Sequence, residues 1–525
     1  MRHSLLLPTL ALFGLALLSV AVLPGYLDLL DRVPPEPIRH LTPAAAPPGE
    51  GPGPAPRLLW IVVDGLRDDA LDALPALRQL GVAGSRLRYR VASPSFSRPA
   101  YATLATGAPP AHHGVRTNRG AGPVLLDTLF ARLAAAGGQT RMVLQRIDWW
   151  ARVVDLPAAQ AEVVPETSRV GARARALLAA AAPADRLLLV HFTEVDHLSH
   201  RHGARSPEVR AELARVDAEL AELLAQRPPL WSVLVLSDHG HRVDGGHGGG
   251  EAEVVLAPAL LAGPDLAAQP GTWERPLPAD ATDIAPTLAA LLGCAPPAQA
   301  EGQILAELFR PEAQLRSAPL AAELRRGQAR LVAAGLPSAE AEAGLLVRAR
   351  WVGGAGALVV VLGLGLLAGP PLRRSFPPRQ LVGWILLAAS FPVLTLLLWE
   401  AVGSGWSFSA IPLKWIFARR LGGLMVLGAS PGVVLFLWHG RRGPRLAPAQ
   451  LRLLGLLPGL VTLPLVLGSL AWAGVAPGMH LADPAALFLP LVTGPLLAAS
   501  WLGGGLLLLG RVVGDLRRAP VEVRG

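Results

Sequence analysis

Cysteine is nearly absent from this sequence of 525 residues. Its single cysteine, Cys294, cannot form an intrachain disulfide, so any folded domain is held by its core alone. No internal repeat is visible, and no basic stripe is interleaved with aromatic residues in the middle of the chain. The net charge of +9 therefore does not indicate a nucleic-acid polymer as partner.

Charge is also missing from both ends of the chain. Ser4–Leu23 is a block of 20 residues without a charged side chain, and a charge-poor region begins near Val352. The N-terminal block is about long enough to cross a ~30 Å hydrocarbon core. Because no convincing cleavage site follows it, residues 1–24 are predicted to be an uncleaved transmembrane anchor, with a removed signal peptide as the alternative.

The C-terminal region 352–511 is predicted to be a helical transmembrane bundle. Its five candidate spans are 352–371, 381–401, 421–438, 453–474 and 485–510. Arginines concentrate in the loops 372–380 and 439–452 and around the tail 512–525. The positive-inside rule then places the N-terminus, both loops and the tail in the cytoplasm, and residues 24–351 on the outer side of the cytoplasmic membrane.

One connection disagrees with that topology. The segment 402–420 should be external, yet it contains Lys414, Arg419 and Arg420. These cations either extend towards the membrane interface or bind lipid phosphates.

The remaining segments have different compositions. Residues 25–57 form a linker with nine prolines between positions 33 and 57, which is typical of a stiff spacer. Residues 58–312 have the composition of a globular domain. Residues 313–351 form an amphipathic helical connector rich in arginine, which either lies on the membrane surface or packs as ordinary helices.

The globular domain alternates short apolar runs with helix-like segments. The apolar runs are 58–63, 141–145, 186–192 and 231–237, and the helix-like segments are 123–136, 168–182 and 206–226. Runs that are apolar throughout are typical of parallel strands buried on both faces. The pattern predicts an α/β domain with a mostly parallel central sheet covered by helices.

Acids and histidines follow the predicted strands, where α/β sheets bind ligands. These residues are Asp64, Asp196, His200, Asp238, His239 and His247. Carboxylate and imidazole together suit zinc, with manganese as the alternative, and the set is large enough for two metal sites. His202 and His241 are set aside as bystanders.

The order of the motifs VDG, SFSRPAYATLATGAPPAHHG, DHLSHRHG, SDHG and GGHGG resembles the alkaline phosphatase superfamily. Within it, the chain is most similar to the type I phosphodiesterases/nucleotide pyrophosphatases and the GPI-anchor ethanolamine phosphate transferases. The resemblance covers about residues 57–310. The formylglycine motif of the sulfatases is absent.

The resemblance implies two zinc ions and a hydroxyl nucleophile. One metal would be bound by Asp64, Asp238 and His239, and the other by Asp196, His200 and His247. The spacing from Gly107 assigns Ser97 as the nucleophile, with Ser95 as the second candidate. Asn118, which is 21 residues past Ser97, would bind a phosphate oxygen.

We expect from this resemblance a two-metal enzyme that acts on a phospholipid or another phosphodiester. The first hypothesis is transfer of a phosphoethanolamine-type group from a lipid donor to an acceptor hydroxyl through a Ser97 phospho-enzyme. Hydrolysis of a phosphodiester by the same site is the second. An inactive sensor domain on a lipid-handling membrane bundle is the alternative of another class.

Overall fold

A computed structural model gives the fold of most of the chain. It describes residues 3–28, 39, 56–91, 93–118, 122–165, 170–268, 277–314, 321–322, 324–325, 328–329, 355, 370–402, 421–430, 446–472 and 484–517. The chain divides into two compact units. One contains the α/β domain, and the other contains the N-terminal helix and the C-terminal helices.

The α/β domain is built on an eight-stranded sheet with the order β4-β3-β5-β1-β6-β7-β2-β8. The strands are β1 (Arg57–Val63), β2 (Ser85–Arg90), β3 (Gln139–Gln145), β4 (Ala161–Val164), β5 (Asp185–Phe192), β6 (Trp231–Leu236), β7 (Leu256–Ala262) and β8 (Leu277–Asp280). All neighbours pair in parallel except those of β7, which is antiparallel to both β6 and β2. The predicted mostly parallel sheet is therefore confirmed.

Helices connect the strands and cover the sheet. They are α1 (Pro75–Ala83), α2 (Ser97–Thr106), α3 (Pro110–His113), α4 (Leu129–Ala135), α5 (Trp149–Val153), α6 (Val170–Ala179), α7 (Glu194–His202), α8 (Pro207–Ala225), α9 (Ala252–Val255) and α10 (Ala281–Leu292). The two faces of the sheet carry separate cores. In β1, Leu58, Trp60 and Val62 belong to one core, while the alternate residues belong to the other.

Helix boundaries follow local capping. Ser206 caps α8 by accepting a hydrogen bond from the Val209 N–H at 3.2 Å, as its position before Pro207 predicts. The segment 123–136 was predicted to be helical throughout, but α4 begins only at Leu129. Thr128 caps it there by accepting from the Ala131 N–H at 3.1 Å.

The second unit contains the apolar helices. Among the described residues, three stretches are long and apolar enough to cross a membrane: Pro378–Leu398, Pro448–Leu467 and Pro495–Val513. They overlap the predicted spans 381–401, 453–474 and 485–510 but extend beyond them by three to five residues at one end. A further apolar helix, Leu421–Ser430, lies in the predicted span 421–438, and the N-terminal helix is His3–Asp28. The chain is therefore a membrane protein by composition and helix length.

Close packing joins these apolar helices. Leu12 of the N-terminal helix shares a core with Leu451 and Trp501 from two C-terminal helices. Thr462 and Ser500 are hydrogen-bonded through their hydroxyl oxygens at 2.8 Å, an interhelical bond that is typical of membrane helices. The predicted linker 25–57, the connector 313–351 and the span 352–371 lie almost entirely outside the described residues, and the division into these segments stays a prediction.

Candidate active site

The three central strands bring the predicted metal ligands to one edge of the sheet. Asp64 directly follows β1, and Asp238 and His239 come just after β6. α7 begins two residues after β5 ends and carries Asp196 and His200. Because β5, β1 and β6 are adjacent and parallel, their carboxyl ends meet at the same place.

Asp64, Asp238 and His239 form the first group of ligand atoms. One ligand atom from each lies within 4.8 Å of the others, and all three residues are buried. His239 Nε2 is 3.4 Å from Asp64 Oδ1 and 3.3 Å from Asp238 Oδ2. His239 Nδ1 donates to the Gly240 carbonyl oxygen at 3.1 Å, so in the neutral ring the lone pair is on Nε2, towards the carboxylates.

The first group brings two buried carboxylates close together. Asp64 Oδ1 and Asp238 Oδ2 are buried and lack a hydrogen-bond donor within the described part of the chain. Burial raises the pKa of Asp238 well above its ordinary value, and the Asp64 and Asp196 carboxylates raise it further. Orphaned carboxylate oxygens beside an imidazole lone pair fit a divalent cation, which would let these acids ionise together.

Asp196, His200 and His247 form the second predicted group, and the structure brings them together. His247 Nε2 lies 3.0 Å from His200 Nε2, and Asp196 Oδ1 lies 3.3 Å from the same His200 atom. Two imidazole nitrogens on one tetrahedral zinc ion are about 3.3 Å apart, because each bond is about 2.0–2.1 Å long. This spacing therefore fits a shared cation.

The second group is held in place by partners outside it. His247 Nδ1 donates to the Ser95 carbonyl oxygen at 2.8 Å, which leaves the Nε2 lone pair for a ligand. Burial alone would raise the pKa of Asp196, but His200 and His241 hold it well below its ordinary value. Burial alone would lower the pKa of His200, yet the Asp196 carboxylate raises it.

His241, which the sequence reasoning set aside, lies inside this group. One ligand atom each from Asp196, His239, His241 and His247 fall within 4.8 Å of one another. His241 is fully buried, and burial lowers its pKa to about 4. His202, the other histidine set aside, is partly exposed on α7, and its Nδ1 lies 4.0 Å from Glu208 Oε1.

Ser97 is the first residue of α2 and lies beside the first group. Its Oγ is 3.3 Å from His239 Nε2, and the side chain is buried. At positions 96–99, the N–H groups of Phe96 and Arg98 are bonded within the protein and Pro99 has none. Among the described residues, the Ser97 N–H is therefore the first-turn donor that remains to meet an anionic group.

The other two candidate residues have structural partners. The Ser95 hydroxyl donates to the Gly249 carbonyl oxygen at 2.8 Å and accepts from the Gly248 N–H at 3.0 Å. These two hydrogen bonds stabilise the loop that contains His247. Asn118 Oδ1 accepts from the Arg98 N–H at 2.9 Å. Asn118 thus lies next to Ser97, and its side-chain oxygen Oδ1 caps the first turn of α2.

Two further residues support Asp64 and were missed from the sequence. Tyr101 donates its hydroxyl to Asp64 Oδ2 at 2.6 Å, and His191 Nε2 lies 3.2 Å from the same oxygen. Burial, followed by Asp64, raises the pKa of Tyr101 well above its ordinary value, so it stays protonated as a donor. The available signals were a histidine within the apolar run of β5 and a tyrosine one helical turn after Ser97.

The family comparison matches the part of the chain that contains this site except His247, which lies beyond residue 243. The family model for type I phosphodiesterase/nucleotide pyrophosphatase matches residues 58–136 and 138–243. The chain is 35% identical over 124 residues to the catalytic subunit of human GPI ethanolamine phosphate transferase 3, covering 23% of this chain and 11% of that protein. It is 27% identical over 271 residues to the catalytic subunit of human GPI ethanolamine phosphate transferase 2, covering 47% and 27%.

These matches span about a tenth and about a quarter of the curated relatives' lengths. Among solved structures, murine ectonucleotide pyrophosphatase/phosphodiesterase 5 in complex with AMP is 14% identical. That match covers 46% of this chain and 96% of the other, with a TM-score of 0.38. A 2-O GAG sulfatase is 18% identical, with coverages of 48% and 73% and a TM-score of 0.39. The resemblance inferred from the motifs is confirmed, because the segments 58–136 and 138–243 match the family model for type I phosphodiesterase/nucleotide pyrophosphatase.

Proposed function

We propose that this chain is a membrane-bound, metal-dependent phosphotransferase. It moves a phosphoethanolamine-type group from a lipid donor to an acceptor hydroxyl through a phospho-enzyme on Ser97. The observation that carries the proposal is the position of Ser97 Oγ, 3.3 Å from His239 Nε2 at the edge of two convergent groups of carboxylates and imidazoles. The similarity to the GPI ethanolamine phosphate transferases supports the transferred group.

Asp64, Asp238 and His239 would hold one divalent cation, and Asp196, His200 and His247 the other, with zinc as the expected ion and manganese as the alternative. The bound ions would lower the pKa of the Ser97 hydroxyl and neutralise charge on the phosphoryl oxygens. The residues present fit this role, because the buried oxygens Asp64 Oδ1 and Asp238 Oδ2 lack a hydrogen-bond donor among the described residues.

The reaction would consist of two displacements at phosphorus. In the first, Ser97 Oγ forms a bond to phosphorus as the bond to the oxygen of the lipid alcohol breaks. In the second, the oxygen of an acceptor hydroxyl forms a bond to phosphorus and Ser97 Oγ leaves. The Ser97 N–H would bind a phosphoryl oxygen at the start of α2, and Tyr101 would orient Asp64.

The apolar helices favour a lipid-linked donor or acceptor. A soluble substrate requires only an anchor, whereas the described residues include three C-terminal helices that could cross a membrane and a packed core that joins apolar helices. Phosphatidylethanolamine is the expected donor. We place the catalytic domain on the outer side of the cytoplasmic membrane, as the distribution of arginines predicts.

Hydrolysis is the second candidate function, and the family model that matches residues 58–243 favours it. Water would then take the place of the acceptor in the second displacement. In the purely sensory alternative, neither displacement would occur. The two catalytic readings differ only in what accepts the phosphoryl group.

The test uses the full chain purified in detergent with zinc and phosphatidylethanolamine labelled in the head group. We expect label to appear on an added acceptor, and we expect Ser97→Ala to lower the rate by about 10³-fold or more while it keeps its zinc. Label released to water at the same rate with and without acceptor would indicate the hydrolase. A wild-type protein that holds zinc but forms no product from any diester would support the sensor.

Two further serine variants make this test specific. Ser206→Ala removes the cap of α8, where the hydroxyl accepts from the Val209 N–H, and should leave the rate unchanged, at a stability cost of about 1 kcal/mol. Ser95→Ala tests the second candidate nucleophile. Activity lost in Ser95→Ala but retained in Ser97→Ala would transfer the role to Ser95, and mass spectrometry of the trapped phosphopeptide would locate the phosphate.

A further inference from the structure

His241, the histidine that directly follows the SDHG motif, is the starting point. His241 is fully buried, and its Nε2 lies 2.8 Å from Asp196 Oδ1. This is shorter than the distances from the same oxygen to His200 Nε2, 3.3 Å, and to His247 Nε2, 3.4 Å. Its proximity to Asp196 is compatible with two roles, as a metal ligand or as a hydrogen-bond donor.

The other ring nitrogen of His241 decides between these roles. His241 Nδ1 accepts a hydrogen bond from the Gly246 N–H at 3.1 Å. A nitrogen that accepts an N–H carries no proton, so in the neutral ring the proton is on Nε2. The Nε2–H then donates to Asp196 Oδ1 and has no lone pair to offer a cation.

His239 and His247 have the opposite arrangement. Their Nδ1 atoms face the carbonyl oxygens of Gly240 and Ser95, which can only accept, so their Nε2 atoms are the unprotonated ones. The backbone thus assigns different roles to histidines that share one cluster. Two of them present lone pairs, and His241 presents a proton.

The surroundings of His241 hold its ring in one place. Gly65 has a φ of +73°, and a Cβ there would lie 2.8 Å from His241 Cδ2 and 3.1 Å from the Asp196 Cα. The Arg67 guanidinium donates to the His241 carbonyl oxygen and pairs with Asp69. The ring therefore lies between the turn after β1 and the α7 backbone with little freedom to move.

We propose that His241 is a positioning residue that donates a hydrogen bond to Asp196 and sets the orientation of this carboxylate towards the second metal ion. The inference rests on the proposed metal site. It excludes His241 from the ligand set, which keeps Asp196, His200 and His247 as the ligands of that ion. Outer partners of this kind commonly contribute 10- to 100-fold to metal affinity.

Two substitutions separate the alternatives. Asn in place of His241 keeps an acceptor near the Nδ1 position for the Gly246 N–H but loses the donor to Asp196. Gln places an amide N–H near the Nε2 position and can restore that donor. His202→Asn is the matched control, because the His202 side chain is 41% exposed on the same helix as Asp196.

The measurements are zinc equivalents per full-length chain at saturation and zinc affinity by chelator competition. We expect H241N to keep the wild-type number of equivalents but to bind one of them about 10- to 100-fold more weakly. H241Q should recover most of that affinity, and H202N should match the wild type. The thermal midpoint of the metal-free proteins checks folding.

Two results would overturn the inference. If H241N binds zinc as tightly as the wild type, His241 does not position Asp196. If both H241N and H241Q bind one equivalent fewer at saturation, His241 is a ligand. If H241N does not fold, the zinc content of H241Q distinguishes the two roles. The wild-type number of zinc equivalents in H241Q would support a positioning role, and one equivalent fewer would support a role as ligand. A wild-type chain that binds no zinc would instead contradict the proposed function.

Discussion

The buried histidines that the structure describes differ mainly in what their second ring nitrogen contacts. His113, outside the metal site, is a clear case. It accepts from the Val115 N–H through Nδ1 at 3.1 Å, and its Nε2 lies 3.0 Å from the Thr103 hydroxyl. Burial, followed by the charge of Arg116, lowers its pKa to about 3. The neutral ring therefore ties α3 to α2, the helix that begins with Ser97.

This lowered pKa makes His113 sensitive to acid. The unfolded chain binds a proton at His113 below about pH 6.5, whereas the folded chain does so only near pH 3. The stabilising contribution of His113 is therefore fully present above pH 6.5 and is lost as the pH falls from 6.5 towards 3. His113→Gln should be less stable at pH 7 by about 1–2 kcal/mol.

The measurement is the thermal midpoint of wild type and His113→Gln between pH 4.5 and 7.5. The thermal midpoint of the wild type should exceed that of His113→Gln at pH 7, and this difference should shrink as the pH falls below 6.5. The reason is that only the wild type loses the contribution of a buried neutral ring. His202→Gln, at an exposed position, should follow the wild-type curve. A difference in thermal midpoint that stays constant over the whole pH range would contradict the assignment of His113 as a buried neutral ring.

Among the elements, strands buried on both faces were the ones that could be predicted. β1, β3, β5 and β6 are apolar runs because helices cover both faces of the sheet. β2 was missed because its sequence SRLRYR alternates arginine with other residues, and β7 because it contains Pro258. Pro258 has no N–H, yet its carbonyl oxygen accepts from the Ser237 N–H at 3.1 Å, next to the SDHG motif.

The helix that begins with Ser97 depends on the glycine that ends it. Gly107 has a φ of +71°, and its N–H donates to the Thr103 carbonyl oxygen at 2.8 Å. A Cβ at this position would lie 2.8 Å from the Ala300 Cβ, whereas one at Gly137, with a φ of +75°, would meet nothing within 4 Å. The two glycines share a conformation and differ in the space around them.

Comparison of Gly107→Ala with Gly137→Ala separates the cost of backbone strain from the cost of a steric clash with Ala300. The free energy of unfolding should fall by about 1–2 kcal/mol in each variant, because alanine is strained in a left-handed backbone conformation. It should fall further in Gly107→Ala, because the Ala300 side chain must also move. Thermal midpoints of the full chain with zinc provide the measurement. Equal losses in the two variants would show that the contact with Ala300 costs nothing.

At the scale of the whole molecule, the arginine distribution predicts which side of the membrane each part occupies. Cys294 simplifies a labelling test, because the residue is buried and burial raises the pKa of its thiol to about 12. Folded wild-type protein should therefore stay unlabelled by a maleimide. Cysteines introduced one at a time then report their own positions.

The test compares Leu230→Cys, at an exposed position of the α/β domain, with Arg442→Cys in the segment 439–452, which the sequence predicts to be cytoplasmic. In intact cells stripped of any outer envelope, a membrane-impermeant maleimide should label the first variant. It should label the second only after permeabilisation. The reverse pattern would place the α/β domain in the cytoplasm and overturn the proposed topology.

The sequence alone was sufficient for the central strands, the strand-end acids and histidines, and the apolar character of the two ends, because these depend on local pattern and on which strands are buried. It could not assign His241, Tyr101 or His191, since each acts through a partner far away in the chain. Only the tertiary structure places the Gly246 N–H against His241 Nδ1 and the Gly240 and Ser95 carbonyl oxygens against its neighbours. A histidine has two nitrogens and one proton when neutral, so its role depends on these contacts.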